Sequence, residues 1–267
     1  MKKVMAATLA VLLLFFLCSC GELSAYRLYS NAQKNAEENR DNFETKTLVT
    51  LKLKADESGK TAEKTYGLHV KKDGDSISST VKTDIGMGIT VESELVYLDG
   101  YVYAKIMGVK AKMPMEIEKF KSDYAYENDV TPLFSEEDLK SVKVEKNEDG
   151  LRTLKLTVGT DKINKSIYDG VKQMMNAAVI GYVATLSEES TEIEFSDINV
   201  IITFDNGGCF KNFDMTFSVN AVVLSKTLSA DVKAEVEYLD FGSTSVDVPD
   251  DLDEYKEHRL LPENIFK

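Results

Sequence analysis

The chain has 267 residues, 43% of them hydrophobic, and sets 32 Lys and Arg against 45 Asp and Glu for a formal charge of −13. That length is ample for a packed core, in one large domain or two small ones, and so acidic a surface repels phosphate backbones, which argues against nucleic acid as a partner. Three cysteines, at positions 18, 20 and 209, are too few for a disulfide framework or a zinc site built from thiolates.

The first element is a leader. Lys2 and Lys3 give a basic start, and Val4 to Leu17 is apolar apart from Thr8. Fourteen residues at ~1.5 Å each fall short of a bilayer core of ~30 Å, so the segment predicts a cleaved signal and not a spanning helix. The run Leu17-Cys18-Ser19-Cys20 resembles the lipobox of bacterial lipoproteins, with Leu three places before the cysteine and a small residue just before it. That resemblance implies cleavage after Ser19, a diacylglyceryl group on the Cys20 thiol, and a protein held on the extracytoplasmic side of the cell membrane by palmitate-type acyl chains. Two chains anchor stably, because each buried methylene contributes ~0.8 kcal/mol. An ordinary secretory signal with incidental cysteines is the alternative. Loss of Lys2 and Lys3 leaves 30 basic against 45 acidic residues, a charge of about −15, and Cys209 becomes the only free thiol.

Residues 24–42 are polar, with Ala25, Leu28, Ala32 and Ala36 on roughly one face, and read either as a short helix or as a tether. From Phe43 the period changes to two, the mark of a half-buried strand. Phe43, Thr45, Thr47, Val49, Leu51 and Leu53 alternate with polar residues, interrupted only by Leu48. Turn signals at residues 56–59 and 73–75 separate two further strands over 64–72 and 76–84. A strand over 89–98 then leads through Asp99-Gly100, a strong hairpin signal, into one over 101–107. Short helices are predicted over 114–126 and from Ser135, a plausible N-cap. A second hairpin spans 142–158. The longest helix follows from Thr160 or Asp161, with Ile163, Ile167, Val171, Met174, Ala178 and Tyr182 at spacings of three and four, and it is apolar on most sides after Asn176. Three long alternating strands close the pattern, through 198–204, 213–223 and 228–238, and the acidic residues after Pro249 predict the start of a terminal helix.

Meander, helices, hairpin, long helix and meander predict an α+β fold: a large curved antiparallel sheet of about ten strands with a few helices in or over the concave face. The lipobox, the Tyr97-Leu98-Asp99-Gly100-Tyr101-Val102-Tyr103 hairpin and the closing Val248-Pro249-Asp250-Asp251 resemble lipoproteins of the LolA, LppX and LprG type. The resemblance implies a half-barrel whose hollow holds acyl chains or another apolar ligand. The expected organisation is a signal peptide over 1–19, a lipid anchor with tether or helix over 20–42, and a single half-barrel-like domain over 43–267.

No catalytic constellation is visible. The two histidines, His69 and His258, stand apart from any nucleophile motif, and no P-loop, G-x-G-x-x-G or H-E-x-x-H is present. Asp247, Asp250, Asp251, Asp253 and Glu254 do not follow calcium-loop spacing. No cofactor and no metal are expected, and Cys209 reads as a small residue at a strand start. Met174, Met175, Val179 and Tyr182 are the candidate lining of an apolar site between long helix and sheet, although the two methionines suit an ordinary core equally well. The leading expectation is a monomeric, non-enzymatic lipoprotein that binds a lipid or other apolar ligand. The alternative is a cell-surface scaffold whose sheet is filled by its own side chains.

Overall fold

The structure, a computed structural model, describes residues 24–55, 61–84, 89–124, 134–160, 192–223 and 226–257. Its dominant feature is one open curved sheet of 13 strands. The N-terminal meander comprises β1 (Asn42–Ala55), β2 (Thr61–Asp73), β3 (Ser76–Asp84), β4 (Thr90–Leu98), β5 (Tyr101–Ile106) and β6 (Val109–Pro114). The C-terminal part comprises β7 (Val144–Lys146), β8 (Arg152–Val158), β9 (Glu192–Phe195), β10 (Ile198–Phe204), β11 (Phe210–Val223) and β12 (Lys226–Phe241). A two-residue strand, β13 (Lys256–Glu257), lies parallel to β6 and covers that edge. The lateral order is β13-β6-β5-β4-β3-β2-β1-β12-β11-β10-β8-β7, with β9 beside β11. The two meanders therefore meet at β1 and β12, near opposite ends of the chain.

The period of two assigns each strand a wet and a dry face. Cross-strand partners share a face, so the register carries one inner row from Leu154 through Ile202, Phe213, Val236, Thr47 and Leu68 to Val81. Lys46, Thr50, Lys52 and Lys54 take the outer face. Phe213 and Phe217 point inward and are buried, as the alternation predicts, while Met215 is half-buried in the same row system.

Among the described residues, three helices lie against the inner face. The segment left open between helix and tether is a helix, α1 (Ala25–Glu38), capped by the Ser24 side chain, which accepts from the Arg27 N–H. It buries Ala25, Leu28, Tyr29, Ala32 and Ala36. Three alanines let the helix approach the sheet closely, and Tyr29 meets Phe134 and Phe210 edge-on at 5.6 and 5.7 Å. α2 (Ile117–Tyr124) puts Phe120 against Tyr97, and α3 (Glu136–Leu139) opens on a capping box between Ser135 and Asp138. The core accordingly forms two clusters: one under α1 and α3 over β8 to β12 and β1, the other under α2 over β1 to β5.

Two differences from the sequence expectation have physical causes. The strand count is thirteen and not about ten, because β6, β9 and β13 are short. β6 follows a two-residue turn in which Met107 and Gly108 both have positive φ, 49° and 82°. This is the hairpin geometry of Asp99-Gly100, with 50° and 79°, but Met carries no turn signal. The acidic residues after Pro249 do not open a helix; a single 3-10 turn, Leu252–Glu254, is followed by extended chain, because the segment is pinned by lysines of the sheet. The predicted long helix from residue 161 lies outside the described residues.

Candidate ligand-binding face and its surroundings

On the inner face, burial is uneven along the strands: Leu51 and Val232 at the centre are buried, while Leu156 and Val158 on β8 are half-buried. Leu154, Ile202, Phe204 and Val219 are wholly buried, whereas Val236, Thr47, Leu68 and Val81, farther along the same row system, are half-buried. Val49, Tyr66 and Met215 are half-buried in the adjacent row. These residues form a mainly apolar band at the borders of the two core clusters, and Phe241 packs against both. Ala230 and Ala234 on β12 keep the middle of the wall low. Two phenols mark how dry the region is: burial raises the Tyr66 hydroxyl above its ordinary value, and burial beside Tyr29 pushes Tyr238 up to about 12.

Of the residues singled out from the sequence, Cys20 and the lining set Met174, Met175, Val179 and Tyr182 lie outside the described residues, as does His258. What the described residues offer is the sheet wall of a candidate site, which the sequence reading did not name residue by residue. The signal was present in the alternation of β1 and β2, where Val49, Tyr66 and Leu68 occupy inner positions.

The outer face holds two further depressions of note. One, of about 610 Å³, spans β1 to β4 and β11 to β12 around Gly67, and Leu48 stands beside it with 43% of its surface exposed. Leu48 and Gly67 are cross-strand partners, so the lone apolar interruption in β1 lies over the one position of β2 without a side chain. The surrounding side chains are charged: Lys46, Lys82, Glu92, Asp214, Glu235 and Glu237. Asp214 is raised by burial and by Glu235 directly across from it.

A second depression, of about 460 Å³, lies under the segment after β12, which crosses the outer face as a strap. Lys71 Nζ donates to Asp247 at 2.9 Å, and Lys110 Nζ donates to Asp251 at 2.5 Å and to Glu254. Tyr255 is buried edge-on against Tyr103 at 5.5 Å. The acidic group is thus engaged with lysines; Asp247 and Asp251 are held below the carboxylate range by those hydrogen bonds, and Lys110 is raised by the same pairing. His69, on β2, lies 2.7 Å from Glu44 and has no nucleophile near it among its described partners. Cys209 precedes β11; its N–H donates to Asp205 at 2.8 Å, and burial, then the charge of Asp205, raises its thiol, which leaves it a poor nucleophile. Among the described residues no group of three or more metal-ligating side chains gathers, and no helix is long and apolar enough to cross a membrane.

The sequence matches no family model and no curated protein. Among solved structures, the chain is similar to LprF from Mycobacterium bovis at 12% identity and a TM-score of 0.32, covering 85% of this chain and 98% of that one. It is similar to a DUF1329 family protein from Desulfovibrio piger at 9% identity and a TM-score of 0.24, covering 82% and 94%. A third similar structure is the LolA superfamily protein NE2245 from Nitrosomonas europaea, at 10% identity, a TM-score of 0.22 and coverage of 86% and 96%. The LolA superfamily is the group that the hairpin and lipobox resemble, and at these scores the likeness carries no function with it.

Proposed function

We propose that this protein is a lipid-anchored extracytoplasmic binding lipoprotein that holds a lipid or other apolar ligand along the inner face of its sheet, without catalysing a reaction. The observation that carries the reading is the half-buried apolar band of Val49, Tyr66, Leu68, Val81, Met215 and Val236 on the inner face, of which Val49, Tyr66, Met215 and Val236 border one core cluster and Leu68 the other. A purely structural face gains stability from closing such a band, at about 25 cal/mol per Å² of apolar surface removed from water. Its relaxed burial suits an occupant that comes and goes. Met174, Met175, Val179 and Tyr182 are proposed as the opposite wall, and Cys20 as the acylated residue that keeps the protein at the cell membrane.

The test is mass spectrometry of organic extracts from protein produced without residues 1–19, together with a thermal-shift panel of fatty acids and phospholipids. A ligand that binds only the folded state raises the melting temperature with the logarithm of its free concentration. A co-purifying lipid, or a shift that changes its chain-length preference in Met175→Ala, supports the reading. The second reading, a surface scaffold with a filled interior, is favoured by the aromatic packing of Tyr29, Phe134, Phe210 and Phe213. It prevails if extracts are empty and the whole panel is silent. Anchoring is tested separately: Cys20→Ala is expected to shift the protein out of the membrane fraction or leave it unprocessed, and normal fractionation of that variant would refute the assignment.

A further inference from the structure

The first turn of α1, α3 and β7 come together at one edge of the sheet, around a cleft of about 580 Å³. Its floor is apolar, with Leu139 buried and Val142 and Val144 half-buried, while Tyr26, Lys140 and Lys143 are exposed at the rim. Only four peptide steps separate Ser24 from Cys20, and at ~3.6 Å per residue they reach at most about 14 Å. An acyl group on Cys20 thus restricts which part of the molecule can meet the lipid.

We infer that this edge is the membrane-docking face of the protein, and that its partner is the anionic lipid surface in which the acyl chains are seated; the inference rests on the anchoring reading above. Charge decides between faces. A chain of about −15 is repelled by anionic headgroups, so it settles with its least negative surface toward them. Elsewhere the described lysines of the sheet are largely spent on carboxylates, as in Lys54 with Asp231, Lys71 with Asp247 and Lys155 with Glu145. Lys140 and Lys143 make no ion pair among the described residues, and neither does the exposed Arg27 of the same helix turn, whereas Asp138 is engaged in its capping box with Ser135. Glu136, Glu137 and Asp138, which keeps its charge in the capping box, balance these three cations, so this edge is locally neutral within an acidic molecule. Tyr26 supplies the amphipathic ring that settles at headgroup depth.

The geometry implies that α1 stands with its N-terminus toward the lipid and that the β5–β6 turn, at the other edge of the sheet, points away. The experiment uses the processed, acylated protein with Cys209→Ser, bearing a single environment-sensitive fluorophore at Tyr26→Cys, Lys143→Cys or Met107→Cys. Met107 is 76% exposed at the β5–β6 turn and serves as the distal site. Each is reconstituted in phosphatidylglycerol and phosphatidylcholine vesicles carrying a doxyl-labelled lipid. Quenching is expected to be several-fold stronger at positions 26 and 143 than at 107. Lys140→Glu with Lys143→Glu is expected to weaken quenching at position 26 in anionic vesicles and to leave it unchanged in neutral ones. Equal quenching at all three sites in vesicles that carry the protein on flotation overturns the docking face alone. Failure to float at all overturns the anchor and this inference with it.

Discussion

Single positions carry more of the fold than composition suggests. Gly242 follows β12 with φ at 86°, a left-handed conformation, and a Cβ there would stand 2.8 Å from Asn39 Oδ1 at the C-cap of α1. Asn39 is itself held by its amide, which donates to the Asn35 carbonyl at 2.9 Å, so it does not move aside freely. Gly242→Ala is expected to cost about 1–2 kcal/mol by chemical denaturation, from backbone strain and crowding together. A neutral result would show that the α1 C-terminus shifts easily. Phe217 tests the inner face directly: it is 6% exposed, and Phe217→Asp places an unpaired carboxylate in the apolar wall. The expected loss is several kcal/mol, with collapse of the cooperative transition, while Thr216→Asp on the opposite face is expected to change little. The alternation of β11 made this contrast legible in the sequence. Gly242 was not legible, since its demand comes from a helix about two hundred residues away in the chain.

At the scale of elements, strands were readable and their partners were not. The long alternating runs and Asp-Gly turns define β1 to β5 and β10 to β12, because period and turn chemistry are local. The pairing of β1 with β12 is not local, and neither is the course of the chain after Phe241. The acidic run after Pro249 looked like a helix start because such residues favour helix N-termini, but tertiary ion pairs outweigh that preference: Lys71 and Lys110 fix the run as a strap. Asn42 adds the inner tie, donating to the Thr244 carbonyl at 2.9 Å and accepting from the Thr244 N–H at 2.7 Å. The strap should respond to pH in a defined direction. Asp247 and Asp251 titrate below 3.8 when folded, so their contribution is present above that value and is lost as pH falls through their folded range. Lys110, raised above 10.5, holds its contribution up to strongly alkaline pH. Hydrogen exchange is therefore expected to show residues 245–257 opening below pH 4 while β10 to β12 stay protected. Tyr255→Ala, which removes the ring packed on Tyr103, is expected to produce the same opening at neutral pH. Protection of the strap that is unchanged by both treatments would show that the carboxylate ties are incidental.

At the scale of the whole molecule, the seam between β1 and β12 decides how the protein folds and fails. It pairs Phe43 with Phe241 at one end and Ala55 with Leu228 at the other, so residues separated by nearly the full described length must meet before either meander gains its neighbour. Loop closure of that span is costly, and folding is expected to be slow for the size of the chain. The seam also joins the two core clusters, since inner residues of β1 contribute to both and Phe241 packs against both. The clusters should therefore unfold together. Lys233 sits at the middle of β12, paired with Thr50 on one side and Thr216 on the other, so its backbone has a strand on each flank. Lys233→Pro removes a ladder donor and forces the central strand out of register with a neighbour, at a cost of about 3 kcal/mol or more. Lys256→Pro makes the same chemical change at the β13 edge and is expected to cost far less. If the sheet is one cooperative unit, Lys233→Pro lowers a single transition on which tyrosine fluorescence and far-ultraviolet dichroism coincide. A biphasic transition, with β1 to β6 persisting after β7 to β12 have melted, would show that the two meanders are separable and that the seam only docks them.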